Sequence, residues 1–96
     1  MIIKVLIEFP LRSGKLEELC KLLKNILIET RAFSGCLKAE TCAATDESSV
    51  ILIEEWESRS DHENYLAWRI ETGLIKALEP YVSAPPTISY FSPRKE

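Results

Sequence analysis

Apolar and polar positions alternate from residue 2 to residue 9. Ile3, Val5, Ile7 and Phe9 share one face, and Ile2, Lys4, Leu6 and Glu8 share the other. A period of two over β-branched residues predicts a strand. Pro10, which has no N–H for a ladder, is expected to stop it. Leu11 to Lys15 reads as a turn, with Ser13 as the expected cap of a helix that opens on Leu16-Glu17. From residue 15 to about 32 the period changes: positions 16, 19, 20, 23, 26, 27 and 30 recur at helical spacing, with Lys21, Lys24 and Glu29 opposite. Leu22 and Ile28 fall off that stripe, so a second side of this helix is expected to be covered.

Ser34-Gly35 ends the helix, and Cys36 to Ala44 reads as a second strand. Thr45-Asp46-Glu47-Ser48 is a hairpin turn leading to a third strand from Ser49 to Glu57. A second helix begins near Ser58 to Asp61 and runs to about Trp68 or beyond. Gly73 breaks it, and Leu74 to Val82 continue as a further helical piece that Pro85-Pro86 terminates. Thr87 to Phe91 is a last strand. The order βαββαβ is the ferredoxin-like, split-βαβ arrangement, an α+β fold in which helices cover one face of a four-stranded antiparallel sheet. The uncovered face would carry Ile2, Leu6, Ile51 and Ile53. Isolated chains avoid so large an apolar patch, and a second copy packed sheet against sheet as a two-fold homodimer would cover it.

The bulk numbers narrow the picture further. Ninety-six residues make one domain, taken as residues 1–92 with a loose charged tail at 93–96. A chain of this size buries only roughly 60% of its unfolded surface, which leaves a monomer marginally stable. With 46% apolar residues, material remains for a pocket and a subunit interface together. A net charge of −3 with scattered lysines and arginines argues against nucleic acid, which requires a clustered basic face. No apolar run reaches membrane-helix length, so no membrane partner is expected. The N-terminus has no basic lead or small-residue cleavage site and reads as a strand, not a signal peptide. Cys20, Cys36 and Cys42 match no zinc spacing; they read as free thiols of a cytoplasmic protein, and no metal is expected.

The candidate chemistry lies between Val50 and Arg69, where both tryptophans and the only histidine fall. Trp56, at the end of the third strand, serves either as a pocket wall or as plain core. His62 is the natural general base near neutral pH, against the alternative of an exposed residue early in a helix. His62, Tyr65 and Arg69 are spaced three and four apart and share one helical face. A guanidinium there would suit an oxyanion, or else pair with a carboxylate such as Glu54 or Glu71. Trp68 lies off this face and would be free to meet a partner. Alternation sends Glu54 with Trp56 to one side of the sheet and Glu55 with Glu57 to the other, so these carboxylates form no metal cage and read as rim charges. Tyr90 contributes either a further hydroxyl or a cap on the core.

The order of elements, Gly14-Lys15 opening the first helix, Ser34-Gly35-Cys36-Leu37, Ile51-Leu52-Ile53-Glu54-Glu55-Trp56-Glu57-Ser58 and the closing Pro85-Pro86-Thr87-Ile88 together resemble the antibiotic biosynthesis monooxygenase domain. The likeness spans about residues 1–92 and implies a dimeric α/β barrel. It implies one of three outcomes: cofactor-free oxidation of phenolic or quinol-like aromatics by dioxygen, haem degradation, or ligand binding without an assigned reaction. The haem-degrading relatives carry an asparagine, a tryptophan and an iron-ligating histidine at positions matching Ile7, Tyr65 and Ile75, so haem is not expected. Polyketide-oxidising relatives place an asparagine, tryptophan, tyrosine and arginine around the substrate. Trp56 matches the tryptophan, whereas Asn25 and Asn64, the only asparagines, both fall on helices. Tyr65 stands where quinol-type relatives often have histidine.

The resulting expectation is a cofactor-independent monooxygenase acting on a small aromatic ligand. His62 or Tyr65 would deprotonate the substrate, Arg69 would stabilise the oxyanion, and Phe9, Trp56 and Tyr90 would form the aromatic wall. The alternative is a non-catalytic ligand-binding or stress-related dimer.

Overall fold

The computed structural model describes residues 2–96. Its elements are β1 (Ile3–Pro10), α1 (Leu16–Ala32), β2 (Cys36–Ala43), β3 (Ser49–Trp56), α2 (Arg59–Glu71), α3 (Leu74–Leu78) and β4 (Thr87–Phe91). The strands form one antiparallel sheet in the order β2-β3-β1-β4, the ferredoxin-like topology. Strand alternation sets its two faces. Val5, Ile7 and Phe9 of β1 and Val50, Leu52 and Trp56 of β3 are buried on the helix side. On α1, Leu19, Leu23 and Leu27 repeat every four residues and are fully enclosed against them. Burial of each such leucine stabilises the fold by about 2 kcal/mol.

Several boundaries differ from the sequence expectation, β2 ending at Ala43 rather than Ala44 among them. Pro10 does not stop β1 short; it is the last residue of the strand and sits opposite Ser49. Ser13 is not the cap of α1, whose N-cap position is Lys15 with no side-chain capping bond. β3 ends at Trp56 rather than Glu57, whose N–H turns to the carbonyl of Gly35 at 2.8 Å. The helical piece after Gly73 spans only Leu74–Leu78, and Val82 instead bridges Leu11 beside β1. Residues 93–96 are exposed and outside any regular element.

Two glycines shape the region around the site. Gly35 adopts φ +93 where β2 begins, and a Cβ there would lie 2.5 Å from the Asp61 side chain in the first turn of α2. Only glycine lets the start of β2 lie this close to the Asp61 side chain. Gly73, at φ +99, redirects the chain from α2 into α3.

Among the described residues no helix covers the opposite sheet face. Leu6 lies beside Ile53 across the β1–β3 ladder, and Ile51 beside Cys42 across β2–β3; all four are partly exposed. Lys4 and Glu55 flank this apolar strip at 3.9 Å from each other.

Candidate active site

Four elements bring polar side chains into the layer between sheet and helices. The β3 alternation that buries Leu52 and Trp56 also buries Glu54, which is 1% exposed. It is therefore not a rim charge. The N–H of the wholly buried Trp56 indole donates to Glu54 Oε1 at 2.8 Å. α2 is capped by Ser58, whose side chain accepts from the Asp61 N–H at 3.1 Å. This cap sets the helix phase so that its buried residues are His62, Tyr65 and Arg69, the face expected from their spacing. His62 is 1% exposed, not a surface residue.

His62 lies between two oxygens. Its Nε2 is 3.8 Å from Glu54 Oε1, and its Nδ1 shares a hydrogen with the Tyr90 hydroxyl at 2.8 Å. Tyr90 comes from β4 and is half-buried, with the Arg59 guanidinium 4.2 Å above its ring. Burial opposes charge on both inner groups. It pushes the Glu54 carboxyl up from its ordinary value, and pushes the His62 imidazole down to about 4. The imidazole is therefore neutral at pH 7.

Tyr65 and Arg69 form the second half of the constellation. The Tyr65 hydroxyl contacts Thr30 Oγ1 of α1 and accepts from Arg69 Nε at 2.8 Å. Since Thr30 donates its own hydrogen to the Ile26 carbonyl at 3.1 Å, the Tyr65 O–H is the donor to Thr30. Burial raises the Tyr65 pKa, which keeps the phenol neutral. Arg69, 7% exposed, also donates to the Ile26 carbonyl at 2.6 Å and to Glu29 at 3.3 Å. Its carboxylate partner is thus Glu29 on α1, neither Glu54 nor Glu71. Trp68 packs inside this chain, against Phe33 and Tyr65, with the Arg69 guanidinium 4.6 Å above its ring.

An inner cavity of about 70 Å³ lies beside these groups. Glu54, His62 and Tyr65 line it together with Phe9, Leu52 and Leu23, among others. Leu66, Leu74, Pro86 and Ile88 form its outer limit, and the same four line a surface groove of about 440 Å³ between α2, α3 and β4. Of the residues expected from sequence, His62, Tyr65 and Phe9 reach the inner cavity. Trp56 stands behind Glu54 with its ring 5.3 Å from the His62 ring and 5.2 Å from that of Tyr65. Tyr90 stands on the far side of His62. Arg69 touches the cavity only through Tyr65; its exposed edge lines a separate shallow depression with Leu22 and Ala77. Glu54 and Thr30 were missing from the expected set. For Glu54 the signal was present in its sharing an inward face with Leu52 and Trp56. Among the described residues no cluster of His, Cys, Asp and Glu could hold a metal ion, and no helix is long and apolar enough to cross a membrane.

A family model described as antibiotic biosynthesis monooxygenase matches residues 2–68. Comparison with curated protein sequences gives no match. Among solved structures, a monooxygenase from the ActVA-Orf6 gene of Streptomyces coelicolor, in complex with the ligand nanaomycin D, is 26% identical with a TM-score of 0.83. That match covers 98% of this chain and 88% of the other. Rv0793 from Mycobacterium tuberculosis is 22% identical with a TM-score of 0.78, covering 100% of this chain and 98% of the other. A conserved protein from Methanosarcina mazei is 16% identical with a TM-score of 0.85, over 98% and 94% of the two chains. The last two likenesses establish a shared fold.

Proposed function

Because the chain belongs to the antibiotic biosynthesis monooxygenase family, we propose that it is a cofactor-independent monooxygenase that oxidises a small phenolic or quinol-type aromatic with dioxygen. The observation that carries this reading is the set of Glu54, His62 and Tyr65 on one wall of an otherwise apolar cavity. The complex of the Streptomyces coelicolor monooxygenase with the ligand nanaomycin D supports a small-molecule ligand for this fold.

The chemistry needs a base and a dry, shaped site. Glu54, backed by His62, accepts the proton of a phenol or enol. The resulting anion gives one electron to dioxygen, and the organic radical and superoxide join through a new C–O bond. Loss of water from that peroxide leaves a carbonyl, so substrate plus dioxygen becomes quinone plus water. Tyr65 is a held phenol rather than a free base, because Thr30 and Arg69 occupy its oxygen. Arg69 acts through it, fixing the ring that borders the substrate.

Size constrains how a ring enters. A benzene ring fills a cavity of about 150 Å³, roughly twice the inner volume of about 70 Å³. A substrate ring therefore displaces Leu66 and Leu74 toward the outer groove, which serves as its vestibule. The bare strip around Leu6, Ile51 and Ile53 fits a homodimer that packs sheet against sheet.

The competing reading is a ligand-binding module without turnover. One observation favours it: among the described residues no buried side-chain polar atom lacks a partner. Oxygen uptake with naphthols, hydroquinones and anthrones separates the two, with a thermal-shift panel of the same compounds alongside. Catalysis gives uptake above background that falls in His62→Ala and Tyr65→Phe. Binding without uptake supports the module.

A further inference from the structure

Glu54 and His62 are each 1% exposed, so a proton taken from substrate at this wall has no direct contact with bulk water. Around His62 the cavity-facing residues of α1 and β1, Leu23, Ile26, Ile7 and Phe9, are apolar and carry no proton. The charged or titratable groups about the ring are Glu54 from β3, Tyr90 from β4, and Tyr65 and Glu63 from α2 itself. Arg59, the pair of Glu63, closes over Tyr90. Glu63 is exposed but makes no hydrogen bond to the ring, so of the two groups that face the ring nitrogens only Tyr90 leads outward. His62 Nε2 faces the buried Glu54 oxygen at 3.8 Å, while Nδ1 is 2.8 Å from the half-buried Tyr90 hydroxyl.

We propose that His62 and Tyr90 form a proton line between the buried Glu54 carboxyl and solvent beside Arg59. The proposal rests on the reading of the cavity as a place of substrate deprotonation, and assigns Tyr90 a positioning role away from the substrate.

The steps balance. Glu54 takes the substrate O–H proton and passes it to His62 Nε2 as the pair closes from 3.8 Å. The Nδ1 proton moves to the Tyr90 oxygen while the Tyr90 O–H proton goes to water, so one proton has entered the line and one has left. The ring is now the other tautomer. Return of a proton from solvent along the same atoms supplies the one with which the departing peroxide oxygen leaves as water, and this restores the first tautomer. A neutral resting imidazole suits this traffic, because a ring that held its proton would block the next transfer.

The sole histidine makes the line observable without turnover. In nitrogen-15 labelled protein, the His62 ring N–H should exchange with solvent at least about tenfold faster in wild type than in Tyr90→Phe, which keeps the ring and removes the hydroxyl. Equal exchange in the two proteins overturns the line. In turnover, Tyr90→Phe should lose about tenfold or more in kcat with little change in KM, and added imidazole buffer should restore the rate. A structural role for Tyr90 would not respond to buffer. Wild-type kcat in Tyr90→Phe, or a loss that buffer leaves untouched, overturns the line. If wild type oxidises no compound while Tyr90→Phe still slows the exchange, the oxygenase reading fails and the proton line stands.

Discussion

The buried imidazole makes the stability of this protein acid-sensitive in a window that one residue controls. His62 is the only histidine, and burial lowers its pKa from 6.5 to about 4. In the unfolded chain the ring regains its ordinary value and binds a proton below pH 6.5, while the folded ring refuses it. Stability is therefore complete above pH 6.5 and is lost as pH falls toward 4, after which this contribution levels off. At 1.36 kcal/mol for each tenfold change in proton affinity, the full interval caps the loss at about 3 kcal/mol, and about 2 kcal/mol of it is expressed by pH 5. Glu54 works in the opposite sense. Its raised pKa means the folded carboxyl gains a proton as pH falls, which offsets part of the loss in any single curve.

A His62→Gln variant isolates the histidine contribution, since Glu54 and the surface carboxylates titrate in both proteins. The assay is urea unfolding followed by tryptophan fluorescence from pH 7.5 to 4.5, at one fixed protein concentration so that any association cancels. Wild type should lose about 2 kcal/mol more than His62→Gln between pH 7 and pH 5. Parallel stability curves for the two proteins would refute the reasoning, and would mean that the folded His62 ring is hydrated and titrates as it does in the unfolded chain.

Four further outcomes follow from the geometry. Gly35→Ala should cost about 1–3 kcal/mol in stability, read by thermal unfolding, because the new Cβ meets both a positive φ and the Asp61 side chain. Arg69→Met should cost about 2–4 kcal/mol in urea unfolding, since it strips donors from the buried Tyr65 hydroxyl and Ile26 carbonyl. Glu29→Gln should cost less than about 1 kcal/mol, because the Glu29 side chain is 63% exposed and its pair with Arg69 is solvent-screened. If the proposed sheet-to-sheet homodimer forms, Ile53→Lys should shift its sedimentation to that of the 10.9 kDa monomer; an unchanged sedimentation coefficient would contradict that contact.

Much of this arrangement was legible in the order of residues, and the exceptions at the site share one cause. Period-two alternation correctly divided β1 and β3 between two faces, and it placed Glu54 on the inward side with Trp56. It could not say how deeply that side is covered, which depends on α2 lying across it. A carboxylate among apolar residues therefore read as a rim charge. Helical spacing put His62, Tyr65 and Arg69 on one stripe, as found. The partners of that stripe, Thr30, Ile26, Glu29 and Tyr90, lie 28 to 43 residues away in the chain. Local spacing is blind at that range. Ser13 failed as a cap for a simpler reason: the chain needs Gly14 at φ +75 and Lys15 to complete the turn before α1 can begin.

The central claim is that a carboxylate buried beside a neutral imidazole starts an oxygen insertion without a cofactor. It is tested most directly by turnover of an anthrone under isotopically labelled dioxygen, with wild type and Glu54→Gln compared by mass spectrometry. The account predicts one labelled oxygen atom in each quinone formed by purified, metal-free wild type. It also predicts a rate about 100-fold or more lower in Glu54→Gln, the usual scale of a lost general base. Product formation at the uncatalysed rate, or equal rates in the two proteins, would contradict it.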